Sequence, residues 1–326
     1  MTKVLITGAS GFIGRNLAAY LAEAGMEVHG SDVIPPPPSP TIEGISFTPV
    51  DILDKPSLIK WIRSSAPDYV VHLGARTDLL GKSLGEYAAN TIGVDNVIEA
   101  CSGLPSLRRV MFASSRMVCP VDYIPRSYED YCPPNFYGSS KMEGEKRVRA
   151  ADVGYSWVMV RPTSIWGPGF GIPYRNFFDQ IRKRRYVHPS GCRPQKSFGF
   201  VGNTVFQLKK LLAAEDGAVN RKTFYLGDYD PVDVLDWANH IHTCFGYEGV
   251  VRQVPVFLLR WIALLGDGVN KLSSADRAPL TSFRLSNLMA RMVYPQLSEL
   301  RAVTGDLPYS WREGTVQTVD WLRKGN

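Results

Sequence analysis

Tyr137 and Lys141 stand four residues apart in Tyr137-Gly138-Ser139-Ser140-Lys141, a spacing that puts a phenol and an ammonium on one face of a helix. A neighbouring ammonium favours the phenolate, so this pairing predicts a tyrosine pKa lowered toward neutrality, suited to giving or taking a hydroxyl proton. Ser114 and Ser115 follow the strand-like run Arg109–Ala113, where a hydroxyl can orient a substrate oxygen in the same crevice. A second constellation lies near the start of the chain, at Gly8-Ala9-Ser10-Gly11-Phe12-Ile13-Gly14. Gly8 and Gly11 allow the backbone to turn tightly and approach a pyrophosphate. Gly14 lets helix and sheet pack closely, with the helix N-terminus facing the phosphates. Asp32 ends the next β-branched run, where a carboxylate accepts hydrogen bonds from ribose hydroxyls and repels a 2′-phosphate. No arginine follows it in Val33-Ile34, so NAD is favoured over NADP. Asp51-Ile52 comes after a third run, where Asp51 serves either the adenine or the entry of the next helix.

The elements that must hold these residues alternate between strand and helix patterns. Strands are predicted at Lys3–Thr7, Glu27–Ser31, Ile45–Val50, Tyr69–Leu73, Arg109–Ala113 and Tyr155–Arg161. Helices are predicted at Phe12–Ala24, Lys55–Ser65, Leu84–Cys101 and Asn135–Ala151. Six parallel strands with crossovers make an α/β, doubly wound (Rossmann) sheet, which binds ligands at its carboxyl edge. Pro35 to Pro40 between the second and third strands reads as a stiff surface connection. After Arg161 the sequence turns rich in Pro and Gly, placing a domain change near residue 164. Residues 1–164 form the dinucleotide-binding domain; 165–326 form a smaller, mainly helical substrate domain, with parts of 198–235 expected to pack back on the first. Helices are expected there at Asn176–Lys183, Thr204–Ala214 capped by Asn203, Val232–Phe245, Val256–Leu265 and Trp311–Leu322.

Composition narrows the class further. The 326 residues are 44% hydrophobic and 21% charged, with net charge +6, which excludes disordered, collagen-like and disulfide-scaffold chains. Five widely spaced cysteines without a CxxC fit neither a disulfide framework nor a zinc site, and no metal centre is expected. The N-terminus has no signal-peptide core, so a cytoplasmic location is expected. Val256 to Leu265 is the most apolar stretch, but ten residues are half of what a bilayer span needs (about 20 residues). It reads as a packed or groove-lining helix, with interfacial membrane contact as the lesser alternative. Trp157, Trp166, Trp237, Trp261, Trp311 and Trp321 read as packing residues, because no basic-aromatic interleaving points to nucleic acid.

Taken together, these motifs resemble the extended short-chain dehydrogenases/reductases, especially the NAD-dependent nucleotide-sugar epimerases and dehydratases. The likeness runs from Met1 to about Phe206. It is carried by the glycine loop, Asp32, Asp51-Ile52, His72-Leu73-Gly74-Ala75, Asn90, Ser114-Ser115, Tyr137 to Glu145, and Arg161-Pro162. The resemblance implies Ser115, Tyr137 and Lys141 as catalytic residues. It implies a cofactor site of Gly8, Ser10, Gly11, Phe12, Ile13, Gly14, Asp32, Asp51, Ile52, Leu73, Gly74, Ala75, Asn90, Ser114, Tyr137, Lys141 and Pro162, with Asn90 helping to position the lysine. On the substrate side it implies Arg116, Asn176, Lys196 (in place of an arginine against a diphosphate) and Arg284. The Asp-Glu pair that follows the catalytic hydroxyl in the 4,6-dehydratases of the resembled family is replaced here by Arg116-Met117, which disfavours elimination of water.

The reading this supports is an NAD-dependent nucleotide-sugar epimerase that oxidises a sugar hydroxyl transiently, acting as a homodimer without a membrane span or nucleic-acid partner. A nucleotide-4-ketosugar reductase is the alternative. A hydroxysteroid-dehydrogenase-like enzyme, suggested by the apolar 256–265 stretch and Pro279-Leu280-Thr281, ranks below it. A non-catalytic redox sensor is least favoured, because Tyr137 and Lys141 are both present.

Overall fold

A computed structural model describes residues 1–36, 44–123, 125–172, 174–273 and 280–325. Pro37 to Pro40 and Pro279 lie outside the described residues. Six strands occupy the expected places: β1 (Lys3–Thr7), β2 (Glu27–Asp32), β3 (Ile45–Pro49), β4 (Tyr69–His72), β5 (Arg109–Ala113) and β6 (Ser156–Pro162). A seventh, Lys222–Leu226, extends the sheet beyond β6. The order is Lys222–Leu226, β6, β5, β4, β1, β2, β3, and every pairing in it is parallel. Strand order reverses at β1, so the carboxyl ends of β1 and β4 flank the crevice where doubly wound sheets bind ligands.

The interior strands read as continuous apolar runs because helices cover both faces. Val4, Leu5 and Ile6 of β1, and Val70 and Val71 of β4, have no exposed surface. Helix α1 (Phe12–Glu23) buries Leu17 and Leu21, and α2 (Lys55–Ser65) buries Leu58 and Ile62. The predicted long helix at 84–101 is interrupted. Leu84–Asn90 is a 3₁₀ segment, Thr91 departs from helical geometry (φ −125°, ψ −73°), and α3 (Ile92–Cys101) follows. Tertiary hydrogen bonds account for the break: the Tyr87 hydroxyl donates to the Asp78 carbonyl, and the Asn90 amide binds both backbone groups of Arg76. Helix α4 (Phe136–Ala150) completes this half of the layer.

Two compact units divide the chain: Met1–Ile165 with Gly199–Tyr229 and Tyr294–Pro308, and Trp166–Phe198 with Asp230–Val293 and Tyr309–Asn326. In the first unit α6 (Val201–Ala213) starts earlier than expected. Asn203 is not its cap but lies inside it, donating to the buried Asp228 carboxylate at 2.8 Å. The second unit is built on helices, among them α5 (Tyr174–Arg182), Val234–Cys244, Val256–Ser273, Ser282–Met289 and Trp311–Arg323. Its largest buried rings are Trp166 and Trp237, and Trp237 packs on Trp166, Phe178 and Phe198 with its indole N–H donating to the Thr315 hydroxyl. Trp261 corrects the expectation of a packing tryptophan: it is 67% exposed on a helix whose outward face is apolar.

Candidate active site

The loop after β1 is shaped by steric exclusion. Gly8 has a left-handed φ of +72°, and a Cβ there would fall 2.6 Å from the Gly74 nitrogen and 2.7 Å from the Leu73 carbonyl carbon. A Cβ on Gly14 would strike the Gly8 carbonyl oxygen and lie 2.9 Å from the Ala9 Cα. The loops after β1 and β4 therefore touch backbone to backbone. Gly11 caps α1 without a side-chain bond, and the first N–H groups of a helix lack partners within the helix, which suits such an end to an anion. The Asp32 carboxylate is fixed at the end of β2 by the N–H groups of Ser10 (3.1 Å) and Val33 (2.8 Å), and the Ser10 hydroxyl donates to the Ile34 carbonyl.

On the far side of the crevice, Leu73 N–H donates to the Thr7 carbonyl and Gly74 N–H to the Thr7 hydroxyl; Ala75 is half-buried just beyond. His72 bonds the same hydroxyl at 2.8 Å, and burial pushes its imidazole down to about 3, with Lys141 adding to the effect. It is a neutral core histidine. Ile52 is buried with its carbonyl held by the Asn96 amide. Asp51 is exposed and accepts from Leu53 N–H. The helix-entry role considered for it belongs instead to Asp54, which caps α2 by accepting from Ser57 N–H. A tight glycine turn, an uncapped helix N-terminus and an acidic group at the end of β2 fit the pyrophosphate and ribose of a dinucleotide.

The chemistry-bearing side chains converge on the carboxyl end of β5. Asn135 caps α4 by accepting from Gly138 N–H at 2.8 Å, which places Tyr137 in the first turn and Lys141 one turn later. Both are buried. The Lys141 ammonium donates to the Ala113 carbonyl at 2.9 Å. Burial brings its pKa down to about 8, against an opposing pull from Glu145. Tyr137 corrects the sequence expectation, because burial raises its pKa above the usual phenol value. The groups that pull it down are a hydrogen bond with Ser115 and the charge of Arg116, rather than the ammonium of Lys141. Desolvation of a phenolate inside the crevice outweighs both. Asn90, expected to position the lysine, makes no hydrogen bond with it among the described residues; its amide donates to the hydroxyl of Ser140, the residue before Lys141, and ties α4 to the loop after β4.

Beneath this trio lies a buried network whose roles the sequence reading did not assign. Glu145 is one further turn along the face of Tyr137 and Lys141. Its carboxylate takes two hydrogen bonds from Arg161, each at 2.8 Å, and one from the Ser114 hydroxyl at 2.5 Å. Tyr131 donates to it from outside the helix, and Arg161 also lies against the rings of Tyr128, Tyr131 and Tyr225. The 137, 141, 145 spacing was the available signal. Pro162 ends β6, paired with Leu226. A cavity of about 20 Å³ lined by His72, Asn90, Lys141 and Glu145 has room for one water-sized guest and not for a substrate.

Arg116 sits in the 3₁₀ turn after β5, half-buried, in the same unit as the trio. The other residues expected to meet substrate belong to the second unit. Asn176 is exposed on α5. Lys196 is buried, with its ammonium donating to the Asn287 carbonyl at 2.6 Å, in the helix that carries the half-buried Arg284. The structure links Lys196 to that helix and places Asn176 on another.

A doubly wound parallel sheet with a glycine cradle and a buried Ser-Tyr-Lys set defines an NAD-dependent enzyme of the extended short-chain dehydrogenase/reductase type. Residues 4–227 match the model of the NAD dependent epimerase/dehydratase family, and the chain belongs to that family. It is 33% identical over 267 residues to a 2-alkyl-3-oxoalkanoate reductase of Stenotrophomonas maltophilia (strain K279a), covering 77% of this chain and 78% of the relative. It is 26% identical over 330 residues to a 4-hydroxy-2-methyl-3-oxo-4-farnesyl-3,4-dihydroquinoline-1-oxide ketoreductase of Stigmatella aurantiaca, covering 99% and 96%. Among solved structures, a UDP-glucuronic acid 4-epimerase from Bacillus cereus in complex with UDP-glucuronic acid and NAD shares the fold, with a TM-score of 0.74, 18% identity and full coverage of both chains.

Proposed function

We propose that this chain interconverts a secondary alcohol and a ketone by net hydride exchange, on a substrate that is predominantly apolar. The observation that carries the reading is the buried Ser115, Tyr137 and Lys141 set at the end of β5, beside the glycine cradle. NAD held by the Gly8 to Gly14 cradle and Asp32 would supply hydride chemistry at the carbonyl carbon, in either direction. Tyr137, held protonated by burial, gives its proton to the ketone oxygen as the C–H bond forms. Ser115 steadies that oxygen and shares a hydrogen bond with the phenol. Arg116 supplies the positive charge that limits the cost of the tyrosinate left behind, and Lys141, held at the Ala113 carbonyl, contributes the buried ammonium of the site.

Two observations favour an apolar ketone over a nucleotide sugar. The cation expected at a diphosphate, Lys196, is buried and engaged by the Asn287 carbonyl, and both curated relatives named above are reductases of oxo compounds. Transient oxidation by a nucleotide-sugar epimerase is the second reading, favoured by the fold shared with the UDP-glucuronic acid 4-epimerase. The deciding experiment offers the purified protein NADH with long-chain 3-oxo compounds and, separately, UDP-glucose and UDP-glucuronic acid. The expected result is loss of NADH in equal amount to alcohol formed. Tightly retained NAD with epimerisation of a UDP-sugar and no net redox change would overturn it in favour of the second reading.

A further inference from the structure

The Val256–Ser273 helix turns only a narrow stripe inward. Leu259 and Ala263 are buried against Leu285, with Val187, Val254 and Met289 packed around them. Its opposite side carries Phe257 (61% exposed), Leu258, Trp261, Ile262, Leu264 and Leu265 (72% exposed). At about 100° per residue these positions cover an arc of roughly 160°. A solvated helix places charged and polar residues there. Phe283, 76% exposed on the Ser282–Met289 helix packed beside it, adds another ring. Patches of this kind beyond a few hundred Å² mark interaction surfaces. No helix among the described residues is long and apolar enough to cross a membrane, and this one is held to its own unit along the buried stripe.

Charge identifies the occupant. Among the described side chains of residues 250–293, Arg252, Arg260, Arg284 and Arg291 stand against Asp267, an excess of +3 in a chain of net +6. Arg252 and Arg260 are exposed at the start of the apolar face, and Arg291 follows the second helix. A two-fold contact with a second copy would set this cationic stretch against itself. An anionic bilayer surface complements it, and tryptophan and phenylalanine rings suit the headgroup boundary. We propose that the Val256–Ser273 helix docks the enzyme on anionic phospholipid bilayers, lying in the plane of the interface with Phe257, Trp261 and Leu265 inserted among the lipids. None of these residues belongs to the Ser-Tyr-Lys set, so the docking does not rest on the substrate reading.

The test is co-sedimentation of the full chain with vesicles of phosphatidylcholine containing about one quarter phosphatidylglycerol, beside pure phosphatidylcholine vesicles. The expected result is at least roughly tenfold stronger partition onto the anionic vesicles, weakened by high salt. The double variant Trp261→Glu/Leu265→Glu should lose at least about tenfold of that partition. Because both side chains are solvent-exposed, its thermal unfolding and NAD binding should match the parent, which separates lost docking from lost folding. Equal sedimentation of parent and variant, or of parent with and without vesicles, would overturn the proposal. So would a lipid-free dimer, seen by light scattering, that the double variant splits while vesicles bind neither protein. Partition is read without substrate, so its failure and failure of the redox reading are distinguishable.

Discussion

Two regions of this molecule invert the usual distribution of polarity in opposite senses. At the end of β5, Lys141, Glu145, Arg161 and Ser114 are withdrawn from water, and each polar tip meets a named partner. On the Val256–Ser273 helix, large apolar side chains are left in water. Burying charge costs several kcal/mol per ion (order of magnitude) unless geometry repays it, and exposing apolar surface forfeits about 25 cal/mol per Å². Folding alone would select neither. The first arrangement is explained by the reaction it prepares, and the second by the surface it awaits.

The largest effect expected from breaking the first region is chemical. Tyr137→Phe removes the proton donor while preserving the ring, and should lower kcat by about 10²–10⁴-fold with NAD binding retained. Steady-state rates with a 3-oxo substrate, together with cofactor titration, measure both; a variant with near-parental kcat would remove Tyr137 from the mechanism. Next comes stability. Arg161→Met leaves the Glu145 carboxylate buried without its bidentate partner, and should destabilise the protein by about 3–5 kcal/mol in urea unfolding. Adding Glu145→Gln should recover part of that loss, because the orphaned charge disappears with it. Additive losses in the pair would mean that the two side chains are not coupled.

A smaller effect separates the roles of two buried bases. Lys141, brought down to about 8, is charged below that value and neutral above it. Ketone reduction that relies on its positive charge should therefore show kcat/KM falling as pH rises through about 8, and Lys141→Arg should abolish the break. His72 acts on stability instead. Its folded pKa of about 3 lies below the ordinary imidazole value of 6.5, so its contribution is complete above 6.5 and is lost as pH falls from 6.5 toward 3. His72→Gln should flatten the stability profile across that interval, with little change near pH 8. An unaltered acid slope would assign acid sensitivity to other groups.

What could be read from the sequence differs between the regions for physical reasons. The β1 loop was legible because glycine is required where a Cβ would collide, and β1 to β6 were legible because buried parallel strands are short β-branched runs. The Lys222–Leu226 strand was overlooked, since Thr223, Phe224, Tyr225 and Leu226 are too few to separate from a packed loop. Leu84–Cys101 has helical periodicity throughout, but hydrogen bonds from Tyr87 and Asn90 to distant segments decide its conformation. The 137 and 141 pairing was visible; its consequence for the phenol was misjudged because helix spacing carries no information about desolvation. Arg161 and Glu145 are sixteen residues apart in sequence, and only the sheet brings them together. The apolar stretch at 256–265 was evident as well, but composition does not say which of its residues face outward.

Two tryptophans of the second unit give the sharpest small-scale test of the comparison. Trp237 is buried among Trp166, Phe178 and Phe198, and its indole N–H donates to Thr315. Trp237→Ala should cost about 3–5 kcal/mol, combining lost transfer energy with the cavity left behind. Trp261 has two thirds of its surface in water, so Trp261→Ala should change unfolding free energy by no more than about 0.5 kcal/mol. The same substitution should nevertheless weaken partition onto anionic vesicles. A residue that contributes little to folding and measurably to lipid binding is retained for its surface. A Trp261→Ala protein destabilised as much as Trp237→Ala would show instead that the outer face of this helix is covered in solution, and that its polarity reflects packing after all.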